Sequence, residues 1–270
     1  MKFCADQSSA IRRGLHLLAL ALLVFSTGCR ESSSSKLIVG MELTYPPFEM
    51  TDERGIPSGA GVEMAKALAQ YLGKEIDIEN IPFEGLIPAL KTGKIDLIVS
   101  SMTKTEEREK SIDFSDPYAN TGLSLLVAKD SPIKGIEDLK RKGVVIAVKK
   151  GTTSHIYATE HLSEASLLVE EKEDTCVLEV IQGKADALMY DQLSVFGNWE
   201  RHQDTTRPLL KAFQKESWAI GLRKGDDELK GRVNAFLRDF RAKGGFERLG
   251  AKYLPKEKEL LQKMGEPFIL

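Results

Sequence analysis

The sequence predicts an α/β protein built as two lobes, and two observations carry the prediction. Short β-rich runs alternate with helical periodicities along most of the 270 residues, as expected for helices covering mainly parallel sheets. A segment of the first half, Leu90-Lys-Thr-Gly-Lys-Ile-Asp-Leu-Ile98, is also echoed in the second by Ile181-Gln-Gly-Lys-Ala-Asp-Ala-Leu188. Each half thus carries a helix end, a Gly-Lys, an aspartate and a strand. Two similar units are expected rather than one sheet, and the match is too short for a repeat array.

Taken in order, the first 28 residues form a leader. Lys2, Arg12 and Arg13 precede an apolar stretch over residues 14–25, followed by Ser26-Thr-Gly28 and Cys29. A basic flank, a short apolar core and a small-residue exit describe a secretory signal. An uncleaved anchor helix is the alternative, although the stretch is short for a span. Residues 29–36 read as a polar tether.

Lys36-Leu-Ile-Val-Gly40 is β-rich and runs into the turn-prone Tyr45-Pro-Pro-Phe48. Residues 61–72 carry apolar side chains at 62, 64, 65, 68, 69 and 72, a helical spacing stopped by Gly73. Strands are expected at 76–81 and 95–99, with a short helix at 85–91 between them. In the second half, strands are expected at 123–128, 144–148, 167–169 and 185–189, and helices at 136–141, 154–161 and 175–182. A long amphipathic helix at 227–243 is closed by Gly244-Gly245, and a further helix covers 246–253. The tail, 255–270, reads as a loosely packed helix.

Composition bounds the function. Hydrophobic residues make up 42% and charged residues 29%, which excludes a disordered chain. The formal charge is −2, so no basic field points to nucleic acid. Loss of residues 1–28 removes three basic and one acidic residue, leaving −4. No histidine pair has metal-ligand spacing, and no metal or cofactor is expected. Cys176, among apolar neighbours, reads as a buried small hydrophobe.

Ser100-Ser-Met-Thr-Lys-Thr-Glu-Glu-Arg108 leaves the carboxyl end of the strand at 95–99, where open α/β sheets bind ligands. Thr105 is a natural N-cap, which puts Arg108 in the first helical turn. Beside the hydroxyls of Ser101 and Thr103, a guanidinium fork there suits a carboxylate. A surface arginine bonded to Asp113 or Asp116 fits the same spacing. Asp191 ends the equivalent strand of the second half, either as acceptor for an ammonium or as N-cap of the segment that follows. An arginine and an aspartate facing each other across a cleft suit a zwitterion.

Several motifs occur together in order: Tyr45-Pro-Pro-Phe-Glu49, Gly85-Leu-Ile-Pro-Ala-Leu90, Ser101-Met-Thr-Lys-Thr-Glu-Glu-Arg108, Ile112-Asp-Phe-Ser-Asp-Pro-Tyr118, Gly151-Thr-Thr153 and Tyr190-Asp191. Over residues 37–254 the chain resembles the polar amino acid family (family 3) of periplasmic solute-binding proteins that serve ABC importers. The resemblance implies the type II two-lobe fold, with one lobe at 37–117 plus 219–254, the other at 123–213, and hinges at 118–122 and 214–218. It implies a monomeric, non-enzymatic receptor that passes a free amino acid to a permease.

By the same resemblance Arg108 takes the α-carboxylate with Ser101, Thr103 and the backbone at Thr153, and Asp191 takes the α-ammonium. Tyr45 and Phe83 sandwich the ligand side chain, and Glu42, Lys149 and Tyr190 meet its far end. Lys149 and Glu42 resemble the donor and acceptor of glutamine binders, while Tyr190 departs from the histidine usual there. A Glu42–Lys149 pair, or a solvated Lys149 beside Lys150, stays open, as do a basic or acidic ligand and a cyclohexadienyl dehydratase-like enzyme. Ser26-Thr-Gly-Cys29 resembles a lipobox and implies lipidation of Cys29, with the exported protein in the periplasm or anchored on the outer face of the cell membrane. Serine stands where leucine is usual, so cleavage without lipidation remains an alternative.

Overall fold

The structure is a computed structural model and describes residues 36–265 and 269–270. The leader, Cys29 and most of the tether lie outside the described residues. In the first half, β1 (Lys36–Met41) is followed by the small antiparallel pair β2 (Met50–Thr51) and β3 (Pro57–Ser58), then α1 (Ala60–Tyr71) and β4 (Glu75–Asn80). Next come α2 (Leu86–Lys91), β5 (Leu97–Ile98), α3 (Glu106–Glu109) and β6 (Asp113–Phe114). The second half runs β7 (Ala119–Ala128), β8 (Val145–Lys149), α4 (Thr153–His161), β9 (Ser166–Glu170), α5 (Glu173–Ile181), β10 (Ala187–Asp191), α6 (Gln192–Arg201) and β11 (Thr206–Trp218). The chain then returns through β12 (Gly221–Leu222), α7 (Asp227–Ala242), α8 (Gly245–Tyr253) and α9 (Pro255–Met264).

These elements make two five-stranded sheets, β4-β1-β5-β12-β6 and β11-β7-β10-β8-β9. The two-lobe α/β expectation holds, with one refinement. Each sheet is evenly mixed: β1 pairs in parallel with β4 and β5, and β8 with β9 and β10. The strands that leave and re-enter a lobe run antiparallel, because the chain enters and leaves the second lobe on neighbouring strands.

The echoed segments fold alike. In each, the helix ends at a glycine of positive φ, Gly93 at 76° and Gly183 at 71°. The aspartate that follows holds the adjacent parallel strand through its side chain and its backbone. Asp96 Oδ2 accepts from the Ile38 N–H at 3.0 Å, and Asp186 Oδ2 accepts from the Val145 N–H at 2.8 Å. The backbone N–H of Asp96 donates to Ile38 O and that of Asp186 to Val145 O. An amide at the start of each strand would otherwise lack a partner within the protein, which explains the residue type.

Several boundaries differ from expectation. Regular pairing at 95–99 is limited to Leu97–Ile98, since Asp96 turns its side chain into the ladder. Residues 136–141 give only a 3-10 turn, Ile136–Leu139, and the strand expected at 185–189 lies two residues later. The tail is better anchored than expected: Leu261 and Ile269 are buried, and Ile269 O accepts from Asn120 N–H.

The two crossings between sheets are the paired ends of β7 and β11, with Ala119 opposite Trp218, Thr121 opposite Glu216 and Gly122 opposite Lys215. A Cβ at Gly122 would meet Gln214 O at 2.5 Å, so only glycine lets the strands approach this closely. Trp218 is buried there and meets Phe48 edge-on at 5.1 Å and Tyr45 at 5.9 Å.

Candidate functional site

A cavity lies between the lobes, against the crossings. It encloses about 470 Å³ not filled by protein atoms, including the part open to solvent, and its walls include Glu42, Tyr45, Phe83, Arg108, Asp191 and Glu216. Of the predicted residues, Ser101, Thr103, Thr153 and Tyr190 also line it. Lys149 is behind the wall, bonded to Glu42.

Arg108 follows its predicted local logic. The Thr105 side chain accepts the Arg108 N–H at 3.2 Å and starts α3, which turns the arginine back over the strand end. The surface-arginine alternative fails, because Asp113 pairs with Lys224 and Asp116 with Arg238. Arg108 is instead buried, donating from Nη1 to Thr103 O at 2.6 Å and from Nη2 to Gly151 O at 3.1 Å. Its guanidinium carbon sits 5.4 Å from the Phe83 ring centre. Among the described residues it makes no ion pair. Burial lowers its pKa to about 10, partly opposed by the Glu216 charge, so it stays cationic at neutral pH.

Asp191 takes the cap role left open by the sequence and faces the cavity as well. Its Oδ1 accepts from Leu193 N and Ser194 N at 3.0 and 3.1 Å, starting α6, and from the Tyr45 hydroxyl of the opposite lobe at 2.8 Å. All three bonds fall on one oxygen; Oδ2 takes none from the described residues. Burial pushes the carboxyl up to about 7, against the Ser194 amide and with added repulsion from Glu173.

At the other end, Lys149 is buried, unlike Lys150, which is exposed and bonded to Glu84 and Glu171. The solvated alternative for Lys149 is therefore excluded. Lys149 Nζ bonds Glu42 Oε2 across the lobes, and Glu42 Oε1 accepts from Phe83 N–H at 3.3 Å. Tyr190 is buried, its ring 6.3 Å from that of Tyr45.

Ser101 is placed differently from its expected use. Its hydroxyl donates to Glu49 Oε2 at 2.9 Å, and its backbone is left-handed, φ 48°. Such a conformation costs about 1–3 kcal/mol outside glycine, and strain of this kind collects at ligand sites. Glu49 is fully enclosed, and burial raises its pKa well above the ordinary range. At α4, Thr153 is the first helical residue after the Thr152 cap, so its free amides and the helix dipole favour an anion.

Sequence reasoning missed Glu216 and Trp218 as lining residues, together with Thr152 and Ser154. Glu216 lies in strand β11, whose ligand-facing side no local pattern marks; Gly151-Thr-Thr153 pointed at the α4 start without naming its neighbours.

A family model for bacterial extracellular solute-binding proteins, family 3, matches residues 37–256. The chain belongs to that family. As a family 3 solute-binding protein it is 34% identical over 260 residues to the arginine-binding extracellular protein ArtP of Bacillus subtilis, covering 92% of this chain and 100% of the relative. It is 32% identical over 228 residues to the glutamine-binding protein GlnH of the same organism's ABC transporter, covering 83% of each. A solved ancestral amino acid-binding protein, described as a precursor of cyclohexadienyl dehydratase, superimposes with a TM-score of 0.76 at 37% identity, covering 81% of this chain and 95% of its own. Family 3 solute-binding proteins of this kind are extracytoplasmic amino acid receptors of ABC importers. No helix among the described residues of this one is long and apolar enough to cross a membrane.

Proposed function

We propose that the protein captures a free polar L-amino acid between its lobes, with Arg108 taking the α-carboxylate and Asp191 the α-ammonium. The observation that carries this reading is the buried Arg108 fork without an ion-pair partner, lining one cavity with an Asp191 whose Oδ2 is unused. A buried cation demands a counter-charge, and a ligand carboxylate supplies it with bidentate geometry. Thr103 and the amides at Thr153 complete the carboxylate side. Ser101 lines the same side, and Tyr45 and Phe83 flank the ligand side chain. The two groups come from different lobes, so a zwitterion favours the closed arrangement, with residues 118–122 and 214–218 as hinges.

For the side chain, Glu42, Lys149 and Tyr190 favour a glutamine-like end. Glu42 lines the cavity with its charge balanced by Lys149 behind it, an acceptor that the amide N–H of a glutamine side chain complements without adding charge. A basic side chain is the second reading, favoured by Glu42, Asp191 and Glu216 lining the cavity against the single cation Arg108. A dehydratase-like reaction rests only on scaffold likeness.

A thermal-shift screen of the proteinogenic amino acids separates these readings, since a ligand bound only by the native state raises Tm. Glutamine is expected to give the largest shift, and Arg108→Ala to abolish it. A larger shift with arginine or lysine selects the second reading. If no amino acid shifts Tm while prephenate or arogenate is turned over, the receptor reading is wrong.

Export through the leader, with lipid attachment at Cys29 and delivery to an inner-membrane permease, belongs to the same proposal. It is supported by the leader pattern and by extracytoplasmic relatives. Cys29→Ser is expected to move the protein from the membrane to the soluble fraction on cell fractionation.

A further inference from the structure

Glu216 stands where the second crossing strand passes beneath the carboxylate end of the cavity. It is buried, and its Oε2 accepts from the Thr103 hydroxyl at 3.1 Å while Gln214 Nε2 donates to Oε1 at 3.3 Å. The Thr153 side chain of the opposite lobe is close enough to lower its pKa. Thr103 and Thr153 are the residues that flank Arg108 on the carboxylate side. A carboxylate already bonded to Thr103 and close to Thr153, in a structure where a ligand carboxylate is to approach the same guanidinium, sets two anions against one set of donors.

We propose that Glu216 is an affinity-setting residue: its carboxylate competes with the ligand α-carboxylate for the donors around Arg108 and holds affinity below what the clamp would otherwise give. The inference rests on the assignment of Arg108 to the α-carboxylate. It also ties the site to the crossing, because ligand entry must loosen the bond that joins Glu216, on the crossing strand, to Thr103.

Competition belongs to the ionised form. Burial raises the Glu216 pKa, opposed by its bonds to Thr153, Thr103 and Gln214 and by the Arg108 charge. The charged groups facing it are Arg108 from α3 and Asp191 from β10. Acidification neutralises Glu216 and relieves the competition, but it also neutralises Asp191 and weakens the ammonium contact. The two effects oppose each other in the wild type. A ratio between variants that share Asp191 removes the second.

The test measures L-glutamine and L-arginine binding by calorimetry from pH 5 to 8.5 in the full chain, Glu216→Gln, Glu216→Ala and Arg108→Ala. At pH 8.5, Glu216→Gln is expected to bind the better probe about 5- to 20-fold more tightly, the scale of a like-charge contact partly screened by solvent. That ratio is expected to fall as the pH is lowered and the Glu216 carboxylate takes up a proton. Glu216→Ala, which also removes the anion, is expected to follow the same course and reports in its place should the glutamine variant fail to fold. Equal or weaker binding by both variants overturns the proposal, and so does tighter binding whose ratio to wild type does not change with pH, the mark of a purely structural role. Unchanged binding by Arg108→Ala instead sinks the parent assignment, an outcome the Glu216 variants do not mimic.

Discussion

The two strand ends that meet at the cavity begin from the same local design and finish with opposite charge. Upstream, Gly93-Lys-Ile-Asp96 and Gly183-Lys-Ala-Asp186 fold alike, each aspartate fastening the start of a parallel neighbour. Downstream they part. After β5 the chain spends Ser100 to Lys104 on a segment that is left-handed at Ser101 and pairs with the crossing at Thr103, and only then starts α3 on Thr105. After β10 the helix starts at once, with Asp191 itself as the cap. The first arrangement leaves a long cation room to fold back over the strand end. The second fixes a short anion at that end. One scaffold, used twice, thus yields complementary ends, and the difference lies in where the helix N-cap falls relative to the strand.

The sharpest way to break this comparison is to remove its charges. Arg108→Ala is expected to reduce amino acid affinity at least about 30-fold in calorimetry, since losing one partner of a desolvated charged contact costs about 2–5 kcal/mol; circular dichroism should remain native. Asp191→Asn should follow with a loss of about 10- to 100-fold on the same scale. Asparagine keeps the cap, so the helix survives while the ammonium contact does not.

Next in size, the upstream likeness predicts equal costs. Asp96→Ala and Asp186→Ala are each expected to lower unfolding stability in urea by about 0.5–1.5 kcal/mol, the net worth of one hydrogen bond at these partly exposed positions. A large inequality between them would show that the two lobes only look alike. Lys149→Met leaves Glu42 unpaired and should weaken glutamine binding more than binding of an apolar amino acid such as leucine; equal losses would detach the Glu42–Lys149 pair from side-chain recognition.

The smallest expected effect is in pH. Asp191 takes up a proton at a pH of about 7 beside Glu216; with Glu216→Gln as background, where that charge no longer raises it, affinity should fall as pH drops below this value. The slope cannot exceed tenfold per pH unit for one group. A flat profile between pH 8 and 6 would mean that Asp191 carries no ligand charge.

Much of this was legible beforehand because it is local. Glycine stops, apolar spacing and the Thr105 cap specify their elements within a few residues, and the ordered motifs specify the family. Strand β11 was the main omission in the fold. Its thirteen residues include Arg207, Pro208, Lys211 and Lys215, and most are only partly buried. An edge strand of that kind has no clean alternation to read. In the site, Ser101 was legible as a lining residue, but its bond to Glu49 was not. Glu49 reaches it from 52 residues away.

Residue order alone decided most of the segments that become helix or strand, the start of α3 at Thr105, and that the two halves share a unit. Those choices depend on backbone groups satisfied within one or two turns. Only the folded chain decided that Lys149 pairs with Glu42 across the lobes, that Tyr45 reaches Asp191, and that Glu216 enters the cavity between two threonines. These contacts join residues 107, 146 and 113 positions apart. Charges at such separations act on one another only after packing has brought them together and removed the water between them.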